Sequence, residues 1–206
     1  MNPGDSFQYR IHFPDAGLYW YHPHHREDIQ QDLGLYGNMR VDARDVDYFG
    51  PANREEVLML DDLLIAESGL VPFGRETATH ALMGRFGNVL LVNGEPGYRL
   101  SVRRGEVVRL FFTTESNTRT VHLSYGKTAI KLIGSDVGKF ERETWVDSVT
   151  LAPAERYILE VQYETAGEHA VENRVRALEH AFGSYFSRVL SLGTVTVRNR
   201  KADPAG

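Results

Sequence analysis

The chain contains no cysteine. That absence excludes disulfides, zinc ribbons, thiol nucleophiles and thiolate-bound clusters, and it excludes a blue-copper centre of the His-His-Cys kind, whose thiolate ligand has no source here. It leaves the compartment open, because a cysteine-free chain tolerates either redox environment. No apolar run approaches the length that spans a bilayer, so no membrane partner is expected. A basic excess is lacking too. Lys and Arg number 23 against 28 Asp and Glu, a formal net charge of -5, which argues against a nucleic-acid binder with its basic footprint. Helical periodicity is too short anywhere for alternating βαβ units, and neither a short-period repeat nor a low-complexity tract is present. Met1 to Ser6 shows neither the basic n-region nor the apolar h-region of an export signal, and the sequence leaves localisation unknown.

Short strands with turn signals between them fill most of the 206 residues. Ser6 to Phe13 alternates, with Phe7, Tyr9, Ile11 and Phe13 on one face, and is expected to form a half-buried strand closed by the turn at Pro14–Gly17. His12 falls on its polar face and is read as solvated. Val57 to Asp62 is expected as a buried strand, with Asp61-Asp62 capping a turn at its end rather than holding a metal, since no oxygen-ligand cluster follows at calcium-like spacing. A short helical turn is expected within Ser68–Arg85. Asn88 to Gly94 ends in Asn-Gly, a hairpin-type turn. Val107 to Thr113 presents Val108, Leu110 and Phe112 on one face. Tyr157 to Tyr163 sets Tyr157, Leu159, Val161 and Tyr163 against Ile158, Glu160 and Gln162. Arg176 to Leu192 fits either a short helix or a long hairpin. The spacing predicts an all-β, Greek-key antiparallel sandwich. Residues 1–42 supply three strands, too few for a sandwich, and are expected to close a preceding, incomplete β domain. Residues 43–54, charged, with a Gly-Pro step and no periodicity, read as a linker. Residues 55–200 form the sandwich, and 201–206 a frayed tail.

Gly17 to Val41 carries the chemistry. In its extended part Leu18, Trp20, His22 and His24 point one way, while Tyr19, Tyr21, Pro23 and His25 point the other. Pro23 cannot donate to a ladder, which places the two imidazoles at a strand end or edge. A same-face imidazole pair suits copper, zinc, iron or nickel alike, and two donors do not close a site. His25 faces away and is not a candidate ligand. Arg26-Glu27-Asp28 reads as a solvated turn or helix start whose carboxylate could orient a ligand imidazole.

This stretch, with Gly17, Tyr19, Trp20, Tyr21, His22 and His24 followed by Gly34, Leu35, Tyr36, Gly37 and Val41, resembles the second copper-ligand segment of the multicopper oxidases, the family of laccases and bilirubin oxidases. Leu91-Val92-Asn93-Gly94, Arg104 to Leu110 and Leu151 to Arg156 are similar, in the same order, to the middle cupredoxin domain of its three-domain members. The resemblance implies a cupredoxin-like fold, with 1–42 ending a first cupredoxin domain and 55–200 a complete second one. It implies that His22 and His24 hold type 3 copper in a site that is incomplete within this chain, since the family's H-W-H, H-P-x-H-x-H and H-C-H segments are not found here. It further implies a parent enzyme, often exported, that couples one-electron oxidation of phenolic, amine or metal substrates to reduction of oxygen to water. No catalytic residue is assigned, and the chain alone is expected to be inactive. Its partners would be further cupredoxin domains or another copy of the chain. The alternative is a non-catalytic cupredoxin-like binding or assembly module. His80, His122, His169 and His180 lie singly and are read as surface or hydrogen-bonded residues.

Overall fold

The computed structural model describes residues 2–179 and 181–205. It begins with an antiparallel ribbon of β1 (Gly17–Tyr21) and β2 (Gly37–Val41), whose connection carries the one-turn helix α1 (Glu27–Gln30). There follow β3 (Arg54–Leu63), the short pair β4 (Ile65–Ala66) and β5 (Gly69–Leu70), helix α2 (Thr77–Met83), β6 (Val89–Val92) and β7 (Tyr98–Arg104). The remainder is strand: β8 (Val107–Thr114), β9 (Val121–Ser124), β10 (Ile130–Ser135), β11 (Lys139–Val146), β12 (Val149–Leu151), β13 (Arg156–Gln162), β14 (Gly167–Glu179) and β15 (Ser184–Lys201).

Two sheets make the cupredoxin-like sandwich, one of six strands in the order β11-β10-β13-β8-β3-β6 and one of five in the order β12-β9-β14-β15-β7. Most neighbours are antiparallel, but β3 with β8 and β15 with β7 run parallel. The predicted alternation sorts the faces. Val108, Leu110 and Phe112 of β8 and Leu159 and Val161 of β13 enter the core between the sheets, with Leu123, Val171 and Val195 from the opposite layer. Asn93 and Gly94 both have positive φ, 53° and 80°. They form the tight turn after β6, closed by the bond from Val92 N to Glu95 O, and this is where the chain crosses to the other sheet. Of the two readings of Arg176–Leu192, the hairpin holds: β14 and β15 pair as far as Glu179 and Ser184.

The outer face of the six-stranded sheet positions the site. Its residues include the odd members of β3 and β8, with contributions from β10 and β13. At one end buried Arg109 and Glu160 form an ion network with the exposed Glu55: Arg109 reaches Glu160 Oε1 at 2.6 Å and Glu55 Oε1 at 2.8 Å, and also donates to the Phe49 and Gly50 carbonyls. In the middle Phe111, Ile133 and Ile158 make a second apolar cluster, with Val57 and Phe49 at its rim. Leu18 of β1, fully buried, is its remaining member. The ribbon therefore lies on this face. Every second residue approaching and along β2 engages it: Tyr36 donates to Asp61 (2.7 Å), Asn38 accepts from Thr113 (2.6 Å), and the Arg40 guanidinium sits 4.5 Å from the Phe111 ring while pairing with Glu55. The stretch 43–54 is correspondingly held, through Phe49, Gly50 and the bond from Val107 N to Asn53 Oδ1.

Gly17 makes the docking possible. Its φ is 150°, and a Cβ there would meet Val137 Cα at 2.5 Å. Without one, Leu18 N bonds Asp136 O at 2.8 Å and Gly138 N bonds Ala16 O at 2.7 Å. Leu18→Ala should loosen the ribbon by about 2–3 kcal/mol, toward the lower end for a buried leucine because a two-stranded ribbon can settle into the space. Hydrogen exchange should show β1 and β2 amides exchanging roughly 30- to 150-fold faster with β8 and β13 unchanged; equal acceleration throughout would contradict this seating.

Two sequence expectations fail. Ser6–Phe13 is not a strand, with Phe7, Tyr9 and Ile11 exposed; alternation supplies two faces, but a strand also needs a neighbouring backbone, and among the described residues none pairs with it. Asp61-Asp62 does not cap a turn. Both lie inside β3 and are buried, 5% and 3% exposed, because each has a partner brought from far along the chain.

Candidate metal centre

The two histidines lie just past the end of β1, where Pro23 ends the ladder. Period-two alternation puts Trp20, His22 and His24 on one side, and they form a stack. The Trp20 and His22 rings are 4.0 Å apart at 16°, and the His22 and His24 rings 4.6 Å apart at 36°. His24 is exposed and His22 half-buried, beside a hollow of about 420 Å³ lined also by Tyr21, Leu35 and Tyr36.

Helix α1 faces this pair. Its first residue, Glu27, brings Oε2 to 3.5 Å from His24 Nδ1. Gln31, at its C-cap, hydrogen-bonds His22 Nδ1 through its side-chain amide, and the Pro23 carbonyl lies 3.2 Å from the same nitrogen. Donor atoms of His22, His24 and Glu27 lie within 4.8 Å of one another, which among the described residues makes them a three-residue group able to hold a metal ion. The donor set fits: two neutral imidazoles and an oxygen donor suit a borderline divalent ion or copper, and the exposed side of the group is open to further ligands. The carboxylate expected in Arg26–Asp28 is thus Glu27. Gln31 was not visible beforehand, since a glutamine in a polar helical turn looks like any solvated residue.

The connection between α1 and β2 is pinned to the sandwich. Asp32 is buried and accepts from Arg85 Nε (3.2 Å) and Asn117 Nδ2 (2.8 Å). Burial raises its carboxyl above the usual range, and the Arg85 guanidinium opposes the shift. Four residues on, Tyr36 is held by Asp61. Burial, then the Asp61 charge, pushes the Tyr36 hydroxyl well above its ordinary value. Burial also raises Asp61 to about 6, with the Tyr36 hydrogen bond opposing. Beside it Glu115, 4% exposed, has neither carboxylate oxygen hydrogen-bonded. Burial and the nearby Asp61 push it to about 8. Asp62 is different in kind, paired with Arg119 at 2.7 Å and accepting from Gly87 N.

The other histidines stay apart from this group. His122 Nδ1 is 2.8 Å from Thr150 Oγ1, and His169 lies between Thr128 Oγ1 (3.1 Å) and the Thr165 carbonyl (2.8 Å), as expected of hydrogen-bonded histidines. His80 lies in the last turn of α2, and His12 and His25 are exposed. His180 lies outside the described residues.

Comparison with known proteins converges on one group. A family profile described as "Multicopper oxidase" matches residues 1–46. Over 62 residues, 30% of this chain, the sequence is 37% identical to copper resistance protein A of Escherichia coli and 42% identical to multicopper oxidase MmcO of Mycobacterium tuberculosis, covering 10% and 12% of those proteins. The fold matches the multicopper oxidase of Pseudomonas thermotolerans with TM-score 0.72 at 27% identity, over 93% of this chain and 44% of that one. The chain thus spans well under half the length of these proteins.

Proposed function

We propose that this chain, a member of the multicopper oxidase family, serves in copper-dependent oxidation by contributing His22 and His24 as two ligands of a type 3 copper site whose remaining ligands come from other protein. The observation that supports this reading is the same-side stack of the two imidazoles at the open end of a docked ribbon. Copper bound there would accept electrons taken one at a time from a phenolic, amine or metal substrate and serve the reduction of oxygen to water. The chain's own part is positional. The Leu18 seat and the Tyr36 and Asp32 anchors hold the ribbon end against a rigid sheet, so the imidazoles present their free nitrogens without having to be ordered on binding. The partner is either further cupredoxin domains, joined across the ribbon's exposed side, or another copy of the chain.

Copper titration with mutation tests the reading. Binding should fall at least 100-fold in His22→Ala and in His24→Ala and be unaffected in His122→Ala; retention of full affinity in the two alanine variants would overturn it. The copper-loaded chain alone should not oxidise a phenolic substrate, because two ligands do not hold a multinuclear site and no thiolate is present to receive the electron. A second reading, a non-catalytic assembly module, draws on Phe7, Tyr9 and Ile11, which stand exposed on a segment unpaired among the described residues. Copper binding that appears only as the chain oligomerises would favour that reading.

A further inference from the structure

Glu27 and Gln31 are four residues apart at the two ends of α1, and the bond from Gln31 N to Glu27 O (3.0 Å) shows that they stand one turn above each other. Along a helix that separation is about 6 Å. His22 and His24 follow the end of β1 with their rings 4.6 Å apart. Each helical residue meets one ring at the same atom: the Gln31 amide nitrogen meets His22 at Nδ1, and Glu27 Oε2 meets His24 at Nδ1. We propose that α1 is a template for the imidazole pair, with Gln31 and Glu27 as positioning residues that keep the proton on Nδ1 of both rings and so present both Nε2 atoms to a metal ion. The inference rests on the metal-ligand reading of His22 and His24, but its first test needs no metal.

The donor and acceptor chemistry fixes the direction. Glu27 Oε2 lies 3.5 Å from His24 Nδ1 on the exposed side, an ion-pair contact longer than a hydrogen bond, and because a carboxylate oxygen can only accept it favours Nδ1–H on His24. The Pro23 carbonyl, 3.2 Å from His22 Nδ1, likewise can only accept. The structure sets the Gln31 amide nitrogen, a donor, against the same Nδ1, so Nδ1–H on His22 satisfies the Pro23 carbonyl only with the Gln31 amide rotated by half a turn to offer its oxygen, and the assignment rests on that carbonyl. Neither Nε2 has a hydrogen-bond partner among the described contacts, and an imidazole whose far nitrogen is held in this way is aligned for ligation by the other. Anchoring of the helix continues into the fold: Asp32, next to Gln31, is gripped by Arg85 and Asn117, and Asn117 also donates to the Asp28 carbonyl at 3.2 Å.

The experiment is ¹⁵N–¹H correlation of the imidazoles in the metal-free, full chain in alkaline buffer, followed by titration with zinc as a redox-silent probe. In the wild type both His22 and His24 should appear as the Nδ1–H tautomer. Gln31→Ala should move His22, and Glu27→Ala should move His24, toward Nε2–H, each leaving the other ring unchanged. Gln31→Glu, which keeps an acceptor at the same place, should restore the Nδ1–H signal. Zinc affinity should drop roughly 10- to 100-fold in each alanine variant, the usual cost of losing such a partner. Wild-type rings already in the Nε2–H form, or tautomers that do not respond to either alanine substitution, would overturn the template. If the tautomers shift as stated while zinc and copper binding is indifferent to His22→Ala and His24→Ala, the template stands and the metal-ligand reading fails. Glu27→Gln, which keeps an acceptor but loses the carboxylate, should retain most of the zinc affinity; a loss as great as in Glu27→Ala would instead show Glu27 to be a ligand and overturn its positioning role.

Discussion

Arg109→Met should lower the stability of the chain by about 3–5 kcal/mol, the cost of breaking a buried charge network by removing one member. Glu160 is the reason. It is 7% exposed and depends on Arg109 for two of its contacts, at 3.0 and 2.6 Å, with Lys131 at 3.3 Å as its other cation. Without the guanidinium, a carboxylate remains in the sheet with one weak partner. The same substitution releases the Phe49 and Gly50 carbonyls, and with them the Phe49 ring at the rim of the cluster that seats Leu18. The loss should therefore appear both in a denaturant midpoint and in faster exchange of β1 and β2. Arg109→Met/Glu160→Leu, which removes both charges, should recover much of the stability, since a buried ion pair is often no better than apolar packing. If the double variant is as unstable as the single one, the deficit lies in the released carbonyls and not in the orphaned charge.

The second large effect is on pH dependence. Glu115 is held at about 8 in the folded chain against an ordinary 4.5, and Asp61 at about 6 against 3.8. Both shifts are upward, so the folded state binds these protons more tightly than the unfolded state does. Their stabilisation is complete at acid pH, below the ordinary carboxylate values. It is lost as pH rises, first through about 6 for Asp61 and then through about 8 for Glu115. At about 1.4 kcal/mol for each pKa unit, the decline is on the order of a few kcal/mol. Glu115→Gln, which keeps the shape and cannot ionise, should flatten it. Wild type and variant should melt alike near pH 5 and the variant should melt higher near pH 8.5, as thermal unfolding in a pH series would measure. Equal slopes would show that Glu115 finds a partner that the fold does not display. The groups facing this carboxyl come from both sides, Asp61 from β3 and Tyr36 from the ribbon, so its ionisation weighs on the anchor of the candidate metal centre.

Much of this was legible in the sequence wherever a local rule decides the outcome. Alternation in Tyr157–Tyr163 and Val107–Thr113 located β13 and β8 to within a residue and sorted their faces, and Pro23 marked where the ladder stops. The imidazole pair was visible because two residues of extended chain bring side chains to one side whatever the rest of the fold does. What stayed hidden depends on partners distant in sequence. Asp61 and Asp62 look like turn residues until Tyr36 and Arg119, 25 and 57 residues away from their respective partners, are brought beside them. Ser6–Phe13 has the pattern of a strand, but pattern supplies no neighbour. The 176–192 segment mixes helix formers such as Ala177 and Leu178 with β-favouring Tyr185, Phe186 and Val189, and only the cross-strand register between β14 and β15 decides between them. Gln31 carries no signal of its own; its contact with His22 exists only because the turn of α1 folds back beside the end of β1.

The parallel pairing of β15 with β7 has a consequence for synthesis. Gly193 must find Tyr98 and Val197 must find Val102, so one edge of the five-stranded layer closes only after nearly a hundred intervening residues have left the ribosome. Until then β7 exposes an unsatisfied backbone edge and the interior side chains of the layer stay wet. Closure of this kind comes slowly and late, and until it is complete the unpaired edge is open to aggregation.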